Sequence, residues 1–263
     1  MKVSAVMPTY NREQYIPIAI RSFLQQTHSD KELVIVDDGN LFDSGLIPND
    51  NRIVLIHLKD RTPTGTKRNI GAEQATGEII FSWDDDDFSA AHRMEDQIQR
   101  LLKTGKAVTG YNTTTRFDEA TRKLYASMAC PPYFVSGTSQ CYWRTWWKRN
   151  PFPDCSFGED SVFSRTARLA NELAAATVGK MMVVRRHANN TDNVLVSRLR
   201  QLTVNDISDE FFDANDALIK DTNYMYAPHR CSPECQAEAQ AQFDSPLADE
   251  GYKIDSWPEI QTR

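Results

Sequence analysis

Over its first 111 residues the chain alternates two hydrophobic patterns. Val3–Met7 (VSAVM), Glu32–Gly39 (ELVIVDDG), Arg52–Leu58 (RIVLIHL), Glu78–Trp83 (EIIFSW) and Lys106–Tyr111 (KAVTGY) are short apolar runs with little polar alternation. That pattern predicts strands buried on both faces, as in a parallel sheet. Between them lie Arg12–Gln26, Thr64–Ala75 and Ala91–Leu102, which predict helices. In the first of these, Tyr15, Ile16, Ala19, Ile20, Phe23 and Leu24 recur at helical spacing. Its Pro17 falls near the first turns, where a missing N–H is best tolerated. Strands alternating with helices predict an α/β fold with a mostly parallel, Rossmann-like sheet and helices on both faces.

Ligands of such sheets bind outside the carboxyl ends of the strands. Three predicted strand ends here read PTYN, DDGN and DDDD. They bring Thr9, Tyr10, Asn11, Asp37, Asp38, Asp84, Asp85, Asp86 and Asp87 to one rim. A charge run alone is commonly a solvated turn. A purely structural sheet, however, has no need for so many carboxylates on one edge. Adjacent carboxylates become tolerable around a cation, and magnesium or manganese sites use one or two protein carboxylates together with substrate phosphates. The rim therefore suits a nucleotide diphosphate bridged to the protein by a divalent cation, which would offset charge on a departing diphosphate.

Beyond Asn112 the pattern becomes irregular. Ser136–Asp160 is rich in aromatic and turn residues, and its Trp143, Trp146 and Trp147 suit either a sugar-packing surface or ordinary core. Gly158–Asp160 (GED) opens a helical segment, where acids are also favoured by the helix dipole. VGKMMVVRRHANN reads as a strand running into a basic loop containing Arg185, Arg186 and His187. These features divide the chain into a domain over residues 1–203, with halves at 1–111 and 112–203, and a C-terminal extension over 204–263. The extension is helical at first; from about Asn223 it has prolines and weak periodicity, the character of a wrap-around or partly disordered tail.

Composition adds limits. The chain has 263 residues, 40% hydrophobic and 25% charged, which suits a globular protein. No stretch approaches the roughly 20 apolar residues of a membrane span, and the first residues lack the apolar core of a leader peptide. A soluble, cytoplasmic protein without an integral membrane segment is expected. Residues 200–263 hold 13 acidic and 5 basic side chains, so of the net charge of −6 the tail carries −8 and the rest +2. This is not the footprint of strong nucleic-acid binding. The five cysteines are odd in number and read as free thiols. His229, Cys231 and Cys235 form only an incomplete zinc pattern.

The stretch from Val3 to Asn40 resembles the opening of a family 2 glycosyltransferase with the GT-A fold. GTKRNIGAEQATGEIIFSWDDDD…HRMEDQI resembles that family's second signature block, and FGEDSVFSR its third. The resemblance spans about residues 1–195 in order. It implies a metal-dependent enzyme that moves a sugar from a nucleotide-diphosphate sugar, of UDP type, with inversion at the anomeric carbon. It implies that Thr9 and Tyr10 lie against the base, and that Asp38, or its neighbour Asp37, hydrogen-bonds it. Arg68 would approach the nucleotide or its diphosphate, Asp84 the ribose, and Asp86 the metal. Four consecutive aspartates leave that register open by one, with Asp85 and Asp87 as rivals and Asp87 also suited to orient the donor sugar. Asp160 matches the general base, with Glu159 second. His187 resembles a histidine that joins the metal or diphosphate, with Arg185 and Arg186 offsetting phosphate charge.

Two other classes fit parts of the pattern. A nucleotidyltransferase would carry a glycine-rich loop after the first strand, where this chain reads MPTYNRE. A non-catalytic sugar-nucleotide or glycan-binding module would have no need of both the acidic run and GED. The acceptor, whether glycan, lipid-linked sugar, protein or a disfavoured nucleic-acid base, has no readable code, and neither has the oligomeric state.

Overall fold

The computed structural model describes residues 1–41, 45–121, 123–127, 135–177, 181–187 and 199–201. The extension over 204–263, with Cys231 and Cys235, lies outside the described residues.

The predicted alternation is present. β1 (Val3–Thr9), α1 (Ile16–Leu24), β2 (Lys31–Asp37), β3 (Ile53–His57), α2 (Thr64–Gln74) and β4 (Ile79–Ser82) follow in order. After β5 (Phe88–Ser89) come α3 (Arg93–Thr104), β6 (Val108–Tyr111), β7 (Thr115–Asp118) and β8 (Lys123–Ser127). A 3-10 turn at Gly137–Ser139 leads into β9 (Cys141–Trp143) and the short α4 (Arg144–Trp147). The described chain closes with α5 (Glu159–Leu169), β10 (Leu173–Ala176), β11 (Met182–Arg186) and β12 (Leu199–Gln201).

The main sheet has seven strands in the order β10-β6-β9-β4-β1-β2-β3. All its pairs are parallel except those of β9, which runs antiparallel between β4 and β6. β1 is buried along its whole length because both faces are covered. Val3, Ala5 and Met7 pack with Ile16 and Phe23 of α1 and Met94 and Leu101 of α3. On the other face Val6 joins a core with Ala72 of α2 and Phe163 and Ala167 of α5. Trp83 Nε1 donates to the Ala19 carbonyl at 3.1 Å and so ties α1 to the end of β4.

Strand β9 departs from the irregular reading of Ser136–Asp160. It is only three residues long, too short for a hydrophobic period, but Cys141 and Tyr142 are buried in the sheet centre. The aromatic run around it is core: Trp146 and Trp147 are buried beside Phe152 and Phe163. Trp147 Nε1 also donates to Asn69 Oδ1 at 2.9 Å.

A second sheet, in the order β12-β8-β7-β11-β5, stands beside the carboxyl end of β4. β5 begins directly after Asp87, and β11 pairs with it antiparallel, Val183 opposite Phe88. Continuing that register carries Arg185 and His187 back along the acidic run.

Candidate active site

β1 and β2 pair in parallel with Thr9 opposite Asp37, so their ends lie side by side. Asp37 is fully buried and closes its own turn: Oδ1 accepts from Gly39 N at 2.9 Å and Oδ2 from Leu41 N at 3.1 Å. Asp38 turns to the rim instead. Its Oδ1 accepts from Lys67 Nζ at 2.8 Å, and its Oδ2 from Arg61 Nη1 at 2.6 Å and Thr62 N at 2.7 Å. Burial pushes this carboxyl up, but the Lys67, Thr62 and Arg61 hydrogen bonds outweigh it and leave it below the ordinary value. Lys67 Nζ also donates to the Thr9 carbonyl at 2.8 Å. Thr9 is buried and hydrogen-bonds Asp85 through its hydroxyl. Tyr10 is exposed, with the Arg61 guanidinium 3.7 Å from its ring centroid. Asn11 has φ of 48° and accepts from Asn40 N at 3.2 Å, joining the turns after β1 and β2.

The four adjacent aspartates fan out to different partners. Asp84 Oδ1 accepts from Arg68 Nη2 at 2.9 Å. Asp85 and Asp86 share Arg12, whose Nη1 lies 2.9 Å from Asp85 Oδ1 and 2.6 Å from Asp86 Oδ2. Asp86 Oδ2 also lies 3.0 Å from His187 Nε2. Asp87 is held on both oxygens, by Arg185 N at 3.0 Å and Thr138 Oγ1 at 2.5 Å. Burial, then the charge of Asp85, push the Asp86 carboxyl up to about 8. Burial and the neighbouring charge of Asp86 raise Asp87 as well. The His187 imidazole is pushed down, first by burial and then by the Arg12 charge, which favours the neutral ring that ligates metals.

The donor pair, one carboxylate oxygen and one imidazole nitrogen, suits a divalent transition-metal cation that would take the place of the Arg12 Nη1 now 2.6 Å from Asp86 Oδ2. Asp86 Oδ2 and His187 Nε2 face one another, and negative charge is crowded where burial disfavours it. Among the described residues no group of three or more His, Cys, Asp or Glu side chains forms a cage. A magnesium-type site needs none, since one or two protein ligands can be completed by phosphate oxygens and water.

Arg68 connects this run to the GED turn. Its Nε donates to Glu159 Oε1 at 3.2 Å while Nη2 holds Asp84. Its buried Nη1 has no hydrogen-bond partner among the described residues. An orphaned buried guanidinium nitrogen is costly unless a ligand oxygen meets it. Glu159 is buried in its ion pair, whereas Asp160 is less enclosed. Asp160 Oδ1 accepts from Ser161 N at 2.6 Å, a contact within the first turn of α5. Gly158, with φ of 76°, makes the sharp entry to that helix. Burial raises the Asp160 carboxyl against the opposing pull of Arg68, which makes its anion more basic.

Several site residues were given no role by any motif. Arg12, Arg61 and Lys67 are counter-ions that the density of carboxylates alone could have demanded. Glu119 also had no assigned role: it accepts from Tyr15 Oη at 3.0 Å and from Arg185 Nη1 at 2.9 Å. Tyr15 in turn packs against His187, ring centroids 4.8 Å apart and planes tilted by 31°.

Comparison with known proteins agrees with this architecture. Residues 4–191 match the family model described as glycosyl transferase family 2. An uncharacterized glycosyltransferase of Haemophilus influenzae is 34% identical over 115 residues, 42% of this chain and 46% of that protein. A UDP-Glc:alpha-D-GlcNAc-diphosphoundecaprenol beta-1,3-glucosyltransferase of Escherichia coli is 35% identical over 104 residues, 38% of this chain and 41% of that protein. The matched segments thus span less than half the length of these relatives. Among solved structures, S. aureus TarS 1-349 in complex with UDP-GlcNAc superposes with TM-score 0.61 at 18% identity, covering 97% of this chain and 76% of that one. The mannosyltransferase PcManGT of Pyrobaculum calidifontis, in complex with GDP-Man and Mn2+, gives TM-score 0.56 at 17% identity, covering 72% and 58%. These structural likenesses establish the GT-A fold.

Proposed function

The chain belongs to glycosyl transferase family 2, and on that premise we propose that it transfers a sugar from a UDP-sugar to an acceptor hydroxyl with inversion at the anomeric carbon. The observation that carries this reading is Arg68. One guanidinium reaches both the acidic run, through Asp84, and the GED turn, through Glu159, and keeps Nη1 for a donor oxygen.

In this reading Tyr10 and Asp38 receive the nucleobase, Tyr10 by its exposed ring and Asp38 by accepting an N–H from the base edge. Asp84 lies by the ribose. Asp86 and His187 hold a manganese or magnesium ion, which when bound neutralises charge on the departing diphosphate. Arg68 Nη1 meets a donor oxygen between the run and the base. Asp160 takes the proton from the attacking acceptor hydroxyl. Its raised affinity for a proton suits that task, because a general base works best with a pKa near the working pH. Glu159, fixed by Arg68, positions the turn that carries Asp160. Asp87 has both oxygens engaged within the fold and orders the junction of the run with β11. Residues 1–203 form the catalytic domain, 1–111 holding the donor and 112–203 the acceptor side, with 204–263 appended.

Calorimetry with UDP tests the donor half of the reading. Binding should appear with manganese and fall to little with a chelator, and GDP should compete more weakly than UDP. Equal UDP affinity with and without metal would remove the cation from the scheme. GDP binding as tight as UDP would remove the uracil preference.

A further inference from the structure

Arg61 lies outside every motif, yet it makes two contacts that mimic a ligand. Its guanidinium is stacked 3.7 Å from the Tyr10 ring centroid, and its Nη1 donates to Asp38 Oδ2 at 2.6 Å. A planar donor lying on an aromatic face, with an N–H pointed at a carboxylate, has the recognition features of a nucleobase. The separation leaves no room for another ring between Arg61 and Tyr10.

We propose that Arg61 is a self-ligand of the nucleobase subsite, and that a nucleotide binds by displacing its guanidinium from Tyr10 and Asp38. This inference rests on the base site given under the proposed function. The local partners make displacement inexpensive. When Arg61 leaves, Asp38 keeps Lys67 Nζ on Oδ1 at 2.8 Å and Thr62 N on Oδ2 at 2.7 Å. The carboxylate is therefore never left as a bare buried charge. The Arg61 side chain is 54% exposed, so it swings into water rather than into core. Lys67, by contrast, is 3% exposed and also holds the Thr9 carbonyl, so it stays. The closed arrangement lowers apparent affinity by the fraction of molecules in which the site is already filled. It also sets a threshold: a base must offer both a stacking face and an N–H at the Asp38 edge to replace what Arg61 provides.

The test is calorimetry of uridine and of UDP with manganese on the full chain, comparing the unmodified protein with Arg61→Ala. Uridine carries no phosphate, so it reports the base subsite without the charge effect of deleting a cation. An exposed cation–π contact and a partly exposed ion pair are each modest, so Arg61→Ala should bind both ligands roughly 3- to 20-fold more tightly. The melting temperature should stay near that of the unmodified protein, which confirms that the variant is folded. Unchanged or weaker uridine binding by Arg61→Ala would overturn the proposal. Weaker UDP binding with unchanged uridine binding would also overturn it, by assigning Arg61 to the phosphates. In both cases the base site itself survives, because the unmodified protein still binds uridine. If neither protein binds uridine or UDP, the base site falls and this inference falls with it.

Discussion

Gly137 lies directly against the Asp160 carboxylate: a β-carbon at Gly137 would fall 1.6 Å from Asp160 Oδ2. The absent side chain is what lets α5 bring its first turn onto the 3-10 turn after the second sheet. Nearby, Gln140 Nε2 donates to the Asp160 carbonyl at 2.7 Å and fixes the same turn from below. The same β-carbon would fall 2.7 Å from Asp160 Cβ, so Gly137→Ala should shift the first turn of α5 together with its carboxylate. Misplacement by about 1 Å can cost on the order of 100-fold in rate. We expect transfer to fall by roughly that factor while UDP affinity changes by less than about 3-fold. Steady-state transfer assays and calorimetry on one preparation measure both, and an unaffected rate would show that Oδ2 is not at the reacting hydroxyl.

On the proposed function the aspartate run separates by partner: Asp86, beside His187, would face the metal, whereas Asp87 is tied into the fold. Asp86→Asn should abolish the manganese-dependent part of UDP binding and the rise in melting temperature that manganese and UDP together produce. Asp87→Asn should act differently. It weakens the acceptors for Thr138 Oγ1 and Arg185 N, so the melting temperature of the protein without ligands falls, while the manganese dependence of UDP binding persists. The reverse assignment of these two phenotypes would move the metal by one residue.

Glu32 offers a stability test far from the chemistry, at the amino end of β2. Burial pushes its carboxyl up, but hydrogen bonds from Lys2, Thr76 and Ser4 outweigh burial and hold it at about 2, against an ordinary value of 4.5. A depressed folded-state value stabilises the protein above the unfolded value, and that stabilisation is lost as pH falls from 4.5 toward about 2. Glu32→Gln should cost roughly 2 kcal/mol at pH 7 and flatten the acid-induced loss of stability across this window. Denaturant titrations at several pH values decide it; an unchanged acid limb would show that the hydrogen bonds are not what depresses the carboxyl.

How much of this was legible in the sequence differs by element. The frame of β1, β2, β3, β4 and β6 was readable because each lies in a largely apolar run that alternates with a helical pattern, although β3, at the sheet edge, is only half-buried and the two-residue β5 carried no signal. The rim followed from the rule that ligands gather at strand ends. Strand β9 was not readable: three residues cannot display a period, and its place in the sheet is set by β4 and β6. The tryptophans were ambiguous because an aromatic side chain serves core and sugar surfaces alike, and only burial separates the two. The partners of the carboxylates were hidden for another reason. Arg12 reaches Asp86 across 74 positions and His187 reaches it across 101, distances over which local sequence carries no information. Asp37 and Asp38 show the finest limit. Adjacent residues at a strand end point in opposite directions, so a one-residue shift exchanges the turn-closing carboxylate for the one at the rim.

In the proposed reaction Asp160 deprotonates the acceptor hydroxyl beside a metal-held nucleotide sugar. The most direct measurement is UDP release by the unmodified protein and by Asp160→Asn, with manganese, over a panel of UDP-sugars and hydroxyl acceptors, alongside UDP affinity by calorimetry. Asparagine preserves the shape and removes the basicity. We expect acceptor-dependent UDP release by the unmodified protein, a fall of roughly 10²- to 10⁴-fold in Asp160→Asn, and UDP affinity within a few-fold. Normal transfer by Asp160→Asn, with loss of transfer in Glu159→Gln, would remove Asp160 from the proton transfer and give the base to Glu159.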